Sequence, residues 1–176
     1  MTGSPRSVWK EWLAAHGPRL LLFARGWSKC QQDAEDLVQE AVLRLWNHQA
    51  DKGGLPPDLP FAFSTIRFCG LNHHRTESRR RKREESIIYL NDFEDVWLDP
   101  VLEDDEDATA LRDAVQRLSP KLREVVVMKC WGGLTFAEIS ETLAISPNTA
   151  ASRYRYALEQ LAQELRQLKE ARSETA

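Results

Sequence analysis

The 176-residue chain contains no run approaching the roughly 20 apolar residues of a membrane span. Its start, MTGSPRSVWKEW, lacks the apolar core of a secretion signal, so a cytoplasmic protein without a membrane span is expected. Cysteine is scarce. Cys30, Cys69 and Cys130 are odd in number and far apart, which argues against a disulfide framework and suits reduced, mostly buried thiols. Catalytic signatures are missing too: there is no glycine-rich phosphate loop and no nucleophile paired with a base. Cys69, His73 and His74 would offer at most two ligands on one helical face, with no second cluster, so neither a metal nor another cofactor is expected. No convincing strand system can be read. These absences leave a helical binding protein rather than an enzyme.

Apolar residues make up 42% of the chain, enough for folded cores of one domain or two small ones. The formal charge of −3 conceals strong segregation. Between Asn91 and Asp107 stand Asp92, Glu94, Asp95, Asp99, Glu103, Asp104, Asp105, Glu106 and Asp107 with no base among them. Without those nine acids the chain would carry +6. Just upstream, RTESRRRKR sets Arg75, Arg79, Arg80, Arg81, Lys82 and Arg83 against Glu77 alone. Local patches of this kind set the field that a partner meets.

Helical spacing dominates both sides of the acidic stretch. Val8, Trp9, Trp12, Leu13 and His16 predict a first helix that stops near HGP, and Leu20, Leu21, Ala24 and Trp27 predict another after it. Asp33 opens a third, with Leu37, Val38, Ala41, Val42, Leu45 and Trp46 as its apolar stripe and Asp36, Gln39 and Glu40 largely outside it. Gln49 to Pro60 is a loop by its glycines and prolines, and helix resumes from Phe61 to about Arg83. After the acids, Leu111, Val115 and Leu118 predict a short helix, and Ser119-Pro120 starts the next, striped by Leu122, Val125, Val126 and Cys130. Gly132-Gly133 ends it.

Thr135 and Glu138 then form a capping box, and Ile139 and Leu143 give the following helix a buried side. Ser146 caps the last helix, with Pro147 at its first position. If Ala150, Tyr154, Ala157 and Leu161 face inward, Asn148, Ser152 and Arg155 point outward, flanked by Thr149 and Arg153. Two helices joined by a short turn have the layout of a helix-turn-helix, whose second helix enters the major groove. Ser140 and Ala144 are small enough for a tight crossing. An ordinary helical hairpin with a solvated polar face has the same local pattern.

DAEDLVQEAVLRLW, Asp33 to Trp46, followed by LSPKLREVVVMKCWGGLTFAEISETLAISPNTAASRYRYAL, Leu118 to Leu158, resembles the conserved second and fourth regions of extracytoplasmic-function (ECF) sigma factors. These are sigma-70-type promoter-recognition subunits of bacterial RNA polymerase. The resemblance implies an all-α protein of two small helical domains: region 2-like at 1–90, an acidic linker at 91–107, and region 4-like, with the helix-turn-helix, at 108–176. Its implied partners are bacterial core RNA polymerase, promoter DNA and an anti-sigma factor. Asp36, Gln39 and Glu40 become the polymerase contacts. Phe61, Phe63 and Phe68 become candidates for stacking on unpaired minus-10 bases, with Arg67, Arg75 and Arg79 along the phosphates. Asn148, Thr149, Ser152, Arg153 and Arg155 become the minus-35 set, some for base edges and others for phosphates. The acidic segment is similar to the linker that threads through polymerase in relatives. Two alternatives stay open: a response-regulator-type transcription factor, which needs alternating strands and helices before the helix-turn-helix, and a sigma-like decoy that binds polymerase or an anti-sigma factor without productive promoter contact.

Overall fold

Apolar residues at three- and four-residue spacing need an opposing surface to cover them, and in this chain other helices provide it. The computed structural model describes residues 4–83 and 106–174, and there is no strand among them. The chain divides into two compact units, Met1–Asp95 and Val96–Ala176. An all-α architecture of two helical units is what the sequence pattern predicts.

The first unit consists of α1 (Pro5–Arg25), α2 (Gln31–Ala50) and α3 (Leu59–Arg83), each packed on the other two. The break predicted at HGP does not occur: α1 runs unbroken through Gly17 and Pro18. Pro18 forfeits one backbone hydrogen bond and its ring crowds the carbonyl one turn back, but Gly17 has no Cβ to meet the ring. Trp9 on one side of the sequence break and Leu20, Phe23 and Ala24 on the other bury into the same core, which favours a single helix. Ala34, Leu37, Ala41 and Leu45 of α2 and Ala62, Phe63, Ile66 and Cys69 of α3 complete that core. Full burial of each large aliphatic or aromatic side chain contributes about 1.5–3 kcal/mol.

Gly70 lets α3 approach the turn after α1. A Cβ there would lie 2.8 Å from the ring of Trp27. The loop after α2 forms as predicted, with Gly53 at φ +90° and Gly54 at φ +71°, in the left-handed region that glycine enters freely. Trp9 Nε1 donates to Gly54 O at 2.8 Å and ties this loop to α1.

The second unit contains α4 (Glu106–Arg117), α5 (Pro120–Val126), a π-helical turn (Val127–Trp131), α6 (Phe136–Leu143) and α7 (Pro147–Glu174). Ala114, Val115 and Leu118 meet Leu122, Val126, Ala157 and Leu161 in one cluster, with Leu111, Trp131, Tyr154 and Leu165 against its edge. Arg123 reaches back from α5 and donates to Gln116 O at 2.6 Å and Leu118 O at 3.0 Å. A cation thus caps carbonyls at the C-terminal end of α4, where the helix dipole favours it. Arg117 pairs with Glu164, and Lys169 Nζ lies 3.9 Å from Asp107, so α7 is bonded to α4 along its distal half. The predicted acidic linker lies almost wholly outside the described residues; Glu106 and Asp107, its last two acids, already belong to α4.

Two expectations about cysteine and phase need correction. The π-helical turn, closed by Gly132 N–H to Val127 O at 2.9 Å, inserts an extra residue and shifts the helical phase. Met128 is therefore buried and Cys130, assigned to the stripe, is exposed. All three cysteines are free, but only Cys69 is buried. Cys30 is exposed and caps α2, its sulfur accepting from the Asp33 N–H at 3.4 Å.

His16 lies mid-way along α1 with its ring 5.3 Å from that of Trp12, and its Nδ1 is buried without a hydrogen-bond partner. Burial, then Arg19, holds its pKa below the ordinary histidine value. The folded state therefore favours neutral His16. Its contribution to stability is fully present above the unfolded-state pKa of about 6.5 and is lost as pH falls from there through the lower folded pKa. The melting temperature of the first unit should drop between pH 7.5 and 5.5, and the drop should be smaller in His16→Gln; equal drops would remove His16 as the cause.

Candidate nucleic-acid interface

Helix α6 begins with a complete capping box. Thr135 Oγ1 accepts from Glu138 N–H at 3.2 Å, and the Glu138 carboxylate accepts from Thr135 N–H at 2.7 Å. Those hydrogen bonds, the backbone one first, hold the Glu138 carboxyl below its ordinary pKa. Ile139, Ser140 and Leu143 are buried. The helix ends at Ala144, with φ 54° and ψ 48°, where Ala144 N–H donates to Glu141 O and Ile145 N–H to Ser140 O. That pair of bonds is the Schellman termination. Ala144 is exposed and serves the turn, so only Ser140 fills the role predicted for both at the crossing.

Ser146 Oγ then accepts from Thr149 N–H at 3.1 Å and starts α7, which packs on α6. Ala150, Ala157 and Leu161 are fully or nearly fully buried, and Tyr154 is half-buried with its ring 5.6 Å from Phe136. Asn148, Ser152 and Arg155 are exposed, while Thr149 and Arg153 are half-buried at the flanks. The five predicted residues are therefore brought together on the first turns of one helix. Thr149 Oγ1 is 2.8 Å from Ser146 Oγ and is partly engaged in the cap.

In the first unit the placement is mixed. Asp36 and Gln39 are exposed on α2. Glu40 is not a free side chain: Oε2 is 2.7 Å from His73 Nε2, and Oε1 accepts from Arg44 Nη2 at 2.9 Å and Nε at 3.0 Å. Burial by itself would raise the Glu40 carboxyl, but the bonds from His73 and Arg44 together outweigh it and hold it below its ordinary pKa. Beside it, burial and then the Glu40 charge push the Cys69 thiol up to about 11. His73 is committed to this link. Among the described residues no group of three or more histidines, cysteines and carboxylates is arranged to hold a metal.

Phe63 is 0% exposed and meets Phe23 edge to face at 5.0 Å. It is core and cannot stack on a base, which corrects its predicted role. Phe61 and Phe68 are 38% and 52% exposed. Arg67 is half-buried with its guanidinium 5.9 Å from the Trp27 ring, and Arg75 is exposed. The side chain of Arg79 lies outside the described residues. His73 and Arg44 escaped sequence reading because no motif marks an interhelical partner; only the i, i+4 spacing of Glu40 and Arg44 was visible.

Comparison with known proteins places this geometry. Sigma-70 region 2 matches residues 12–80, and Sigma-70, region 4 matches residues 108–161. The RNA polymerase sigma-E factor of Streptomyces avermitilis is 30% identical over 159 residues, spanning 89% of this chain and 84% of the relative. That of Streptomyces antibioticus is 32% identical over 136 residues, spanning 76% and 71%. The chain belongs to the sigma-70 family of RNA polymerase sigma factors. It is of the ECF type, and is also similar to the ECF RNA polymerase sigma factor SigE of Mycolicibacterium smegmatis, 28% identical over 154 residues, 87% of this chain and 60% of the relative. Its fold is shared by the sigma factor RpoE of Bartonella quintana, solved with the anti-sigma factor NepR, at a TM-score of 0.71 and 23% identity, over 90% of this chain and 96% of that one. No helix among the described residues is long and apolar enough to cross a membrane.

The turn of the sigma factor's helix-turn-helix carries a measurable strain. An L-residue in the left-handed region costs about 1–2 kcal/mol, and the added chain entropy of glycine offsets about half of what its substitution would relieve. Ala144→Gly should stabilise the second unit by about 0.5–1 kcal/mol, seen as a melting temperature several degrees higher. An unchanged or lower value would show that Ala144 has no strain to release.

Proposed function

We propose that this sigma factor divides promoter recognition between its two units. The domain boundaries follow the reading at 1–90, 91–107 and 108–176. Asn148, Thr149, Ser152, Arg153 and Arg155 read duplex minus-35 DNA, and Phe61, Phe68, Arg67, Arg75 and Arg79 hold the minus-10 strand. Asp36 and Gln39 meet core polymerase directly, with Glu40 as a tethered third member. The observation that carries this reading is the exposed polar face at the capped start of α7. Asn148, Ser152 and Arg155 stand outward over a buried Ala150, with no acid on α7 before Glu159. A helix N-terminus with exposed donors suits both phosphate oxygens and base edges.

The sigma factor acts by binding and leaves chemistry to the polymerase. A cytoplasmic location, next to the nucleoid when assembled, follows from that work. The Bartonella quintana sigma factor is bound by an anti-sigma protein, and we extend a partner of that class to this chain. A response-regulator architecture would require strands before the helix-turn-helix, and the described part of the first unit is helical.

Arg153→Ala and Arg155→Ala should each weaken binding to a minus-35 duplex. Loss of a base contact should cost about 1–3 kcal/mol and relax sequence preference, whereas loss of a phosphate contact should lower the salt slope by about one unit with little change in preference. Wild-type affinity in both variants across a salt series would exclude the α7 face. Separately, Asp36→Lys combined with Gln39→Ala should impair core polymerase pull-down while leaving duplex binding by the same full-length protein unchanged. Retained pull-down would move the docking surface elsewhere.

A further inference from the structure

Tyr154 sits on α7 between Arg153 and Arg155, and its side chain is gripped at two points. Its ring meets Phe136 of α6 edge to face at 5.6 Å. Its hydroxyl lies 3.5 Å from Cys130 Sγ, on the π-helical turn, within hydrogen-bond reach of sulfur. The phase shift that takes Cys130 off the buried stripe thus leaves its sulfur against α7. Lys129 holds the other side of this arrangement: its Nζ donates to Leu134 O at 3.0 Å and stands 4.9 Å from the centre of the Phe136 ring. Leu134 N–H in turn donates to Met128 O at 3.1 Å. The π-helical turn, the start of α6 and α7 are therefore closed into one ring of contacts through Lys129, Phe136, Tyr154 and Cys130.

Each residue turns a regular helix by about 100°, so Arg153 and Arg155 stand on either side of Tyr154 and Ser152 stands nearly opposite it. The neighbours of Tyr154 along the buried stripe are Ala150 and Ala157, one-carbon side chains whose apolar contacts have no direction and resist a roll of the helix only weakly. A hydrogen bond does have direction. We infer that Tyr154, held by Cys130 and by Phe136 under Lys129, is a positioning residue for promoter reading: it fixes the roll of α7 and so the places at which Ser152, Arg153 and Arg155 meet base edges. The inference rests on the reading of the α7 face as the minus-35 contact and goes beyond it, because none of Tyr154, Cys130, Phe136 and Lys129 is among the residues assigned to DNA. Charge attraction to phosphates tolerates a small roll, whereas hydrogen bonds to base edges do not, so loss of the grip costs selectivity before it costs affinity.

The test uses full-length protein assembled with core RNA polymerase and a pool of sequence-randomised duplexes, from which the bound DNA is sequenced. Tyr154→Phe removes the hydroxyl and keeps the ring, Cys130→Ala removes the sulfur, and a double variant removes both. Arg153→Ala with Arg155→Ala serves as the control, and every variant is checked for folding by circular dichroism and melting. Affinities for the duplex that wild type prefers and for a mixed-sequence duplex are then measured over a salt series. Tyr154→Phe and Cys130→Ala should each lower the ratio of the two affinities by about threefold, the scale of one modest hydrogen bond, and the double variant should lower it no further. Melting temperature, mixed-sequence affinity and salt slope should stay close to wild type, because no phosphate contact is lost. If these variants keep the wild-type ratio while the arginine control loses it, the positioning role is wrong and the reading of α7 stands. A ratio that falls only together with melting temperature and mixed-sequence affinity makes Tyr154 a packing residue alone, and a larger loss in the double variant shows that the hydroxyl and the sulfur act apart; either result overturns the inference. If the arginine control keeps the ratio, or wild type prefers no sequence, the reading of α7 fails and this inference with it.

Discussion

The carboxylate of Glu40 is the point at which the first unit's surfaces are tied together. One oxygen is spanned to α3 through His73, and the other to the next turn of its own helix through Arg44. Arg44 in turn covers Phe68 of α3. Exposed ion pairs of this kind are individually weak, about 0–1 kcal/mol. Their value here is geometric: they fix which donors and rings the α2–α3 seam presents. Beneath them, the buried Ile66 and Cys69 of α3 keep the helices in contact by apolar packing. A motif around Glu40 therefore describes only its sequence neighbourhood, while its hydrogen bonds join α2 to α3.

Much of this was readable before any coordinates. Local chemistry carried the helix starts: the Thr135 and Glu138 capping box, the Ser146 cap and the glycine-bearing loop all form where the residues put them. Periodicity carried the α7 face, because the helix there is regular and one side must cover a core. What escaped were effects whose cause lies on another segment. Pro18 does not stop α1, since the helix is buried on both sides of it and Gly17 has no Cβ to meet the proline ring. Cys130 left its stripe because the π-helical turn changed the phase, and a 3.6-residue count cannot anticipate that. Phe63 looked equivalent to Phe61 and Phe68 in sequence. Only packing against Phe23 distinguishes it.

The second unit solves a different problem, holding one long helix on a core of few residues. Its packing comes from both ends of the sequence. Val115 at the end of α4 and Leu118 just after it meet Ala157 and Leu161 on α7, and Arg123 fastens the end of α4 to α5. The turn between α6 and α7 departs from the usual glycine and accepts Ala144 in a left-handed conformation.

Helix α7 continues for 28 residues, about 42 Å at the helical rise. Its outward-reading residues cluster at one end, whereas Lys169 near the other meets Asp107, the last acid before the chain enters the body of α4. The ion pair that joins α7 to α4 and the exposed polar residues at the start of α7 thus stand at opposite ends of one helix.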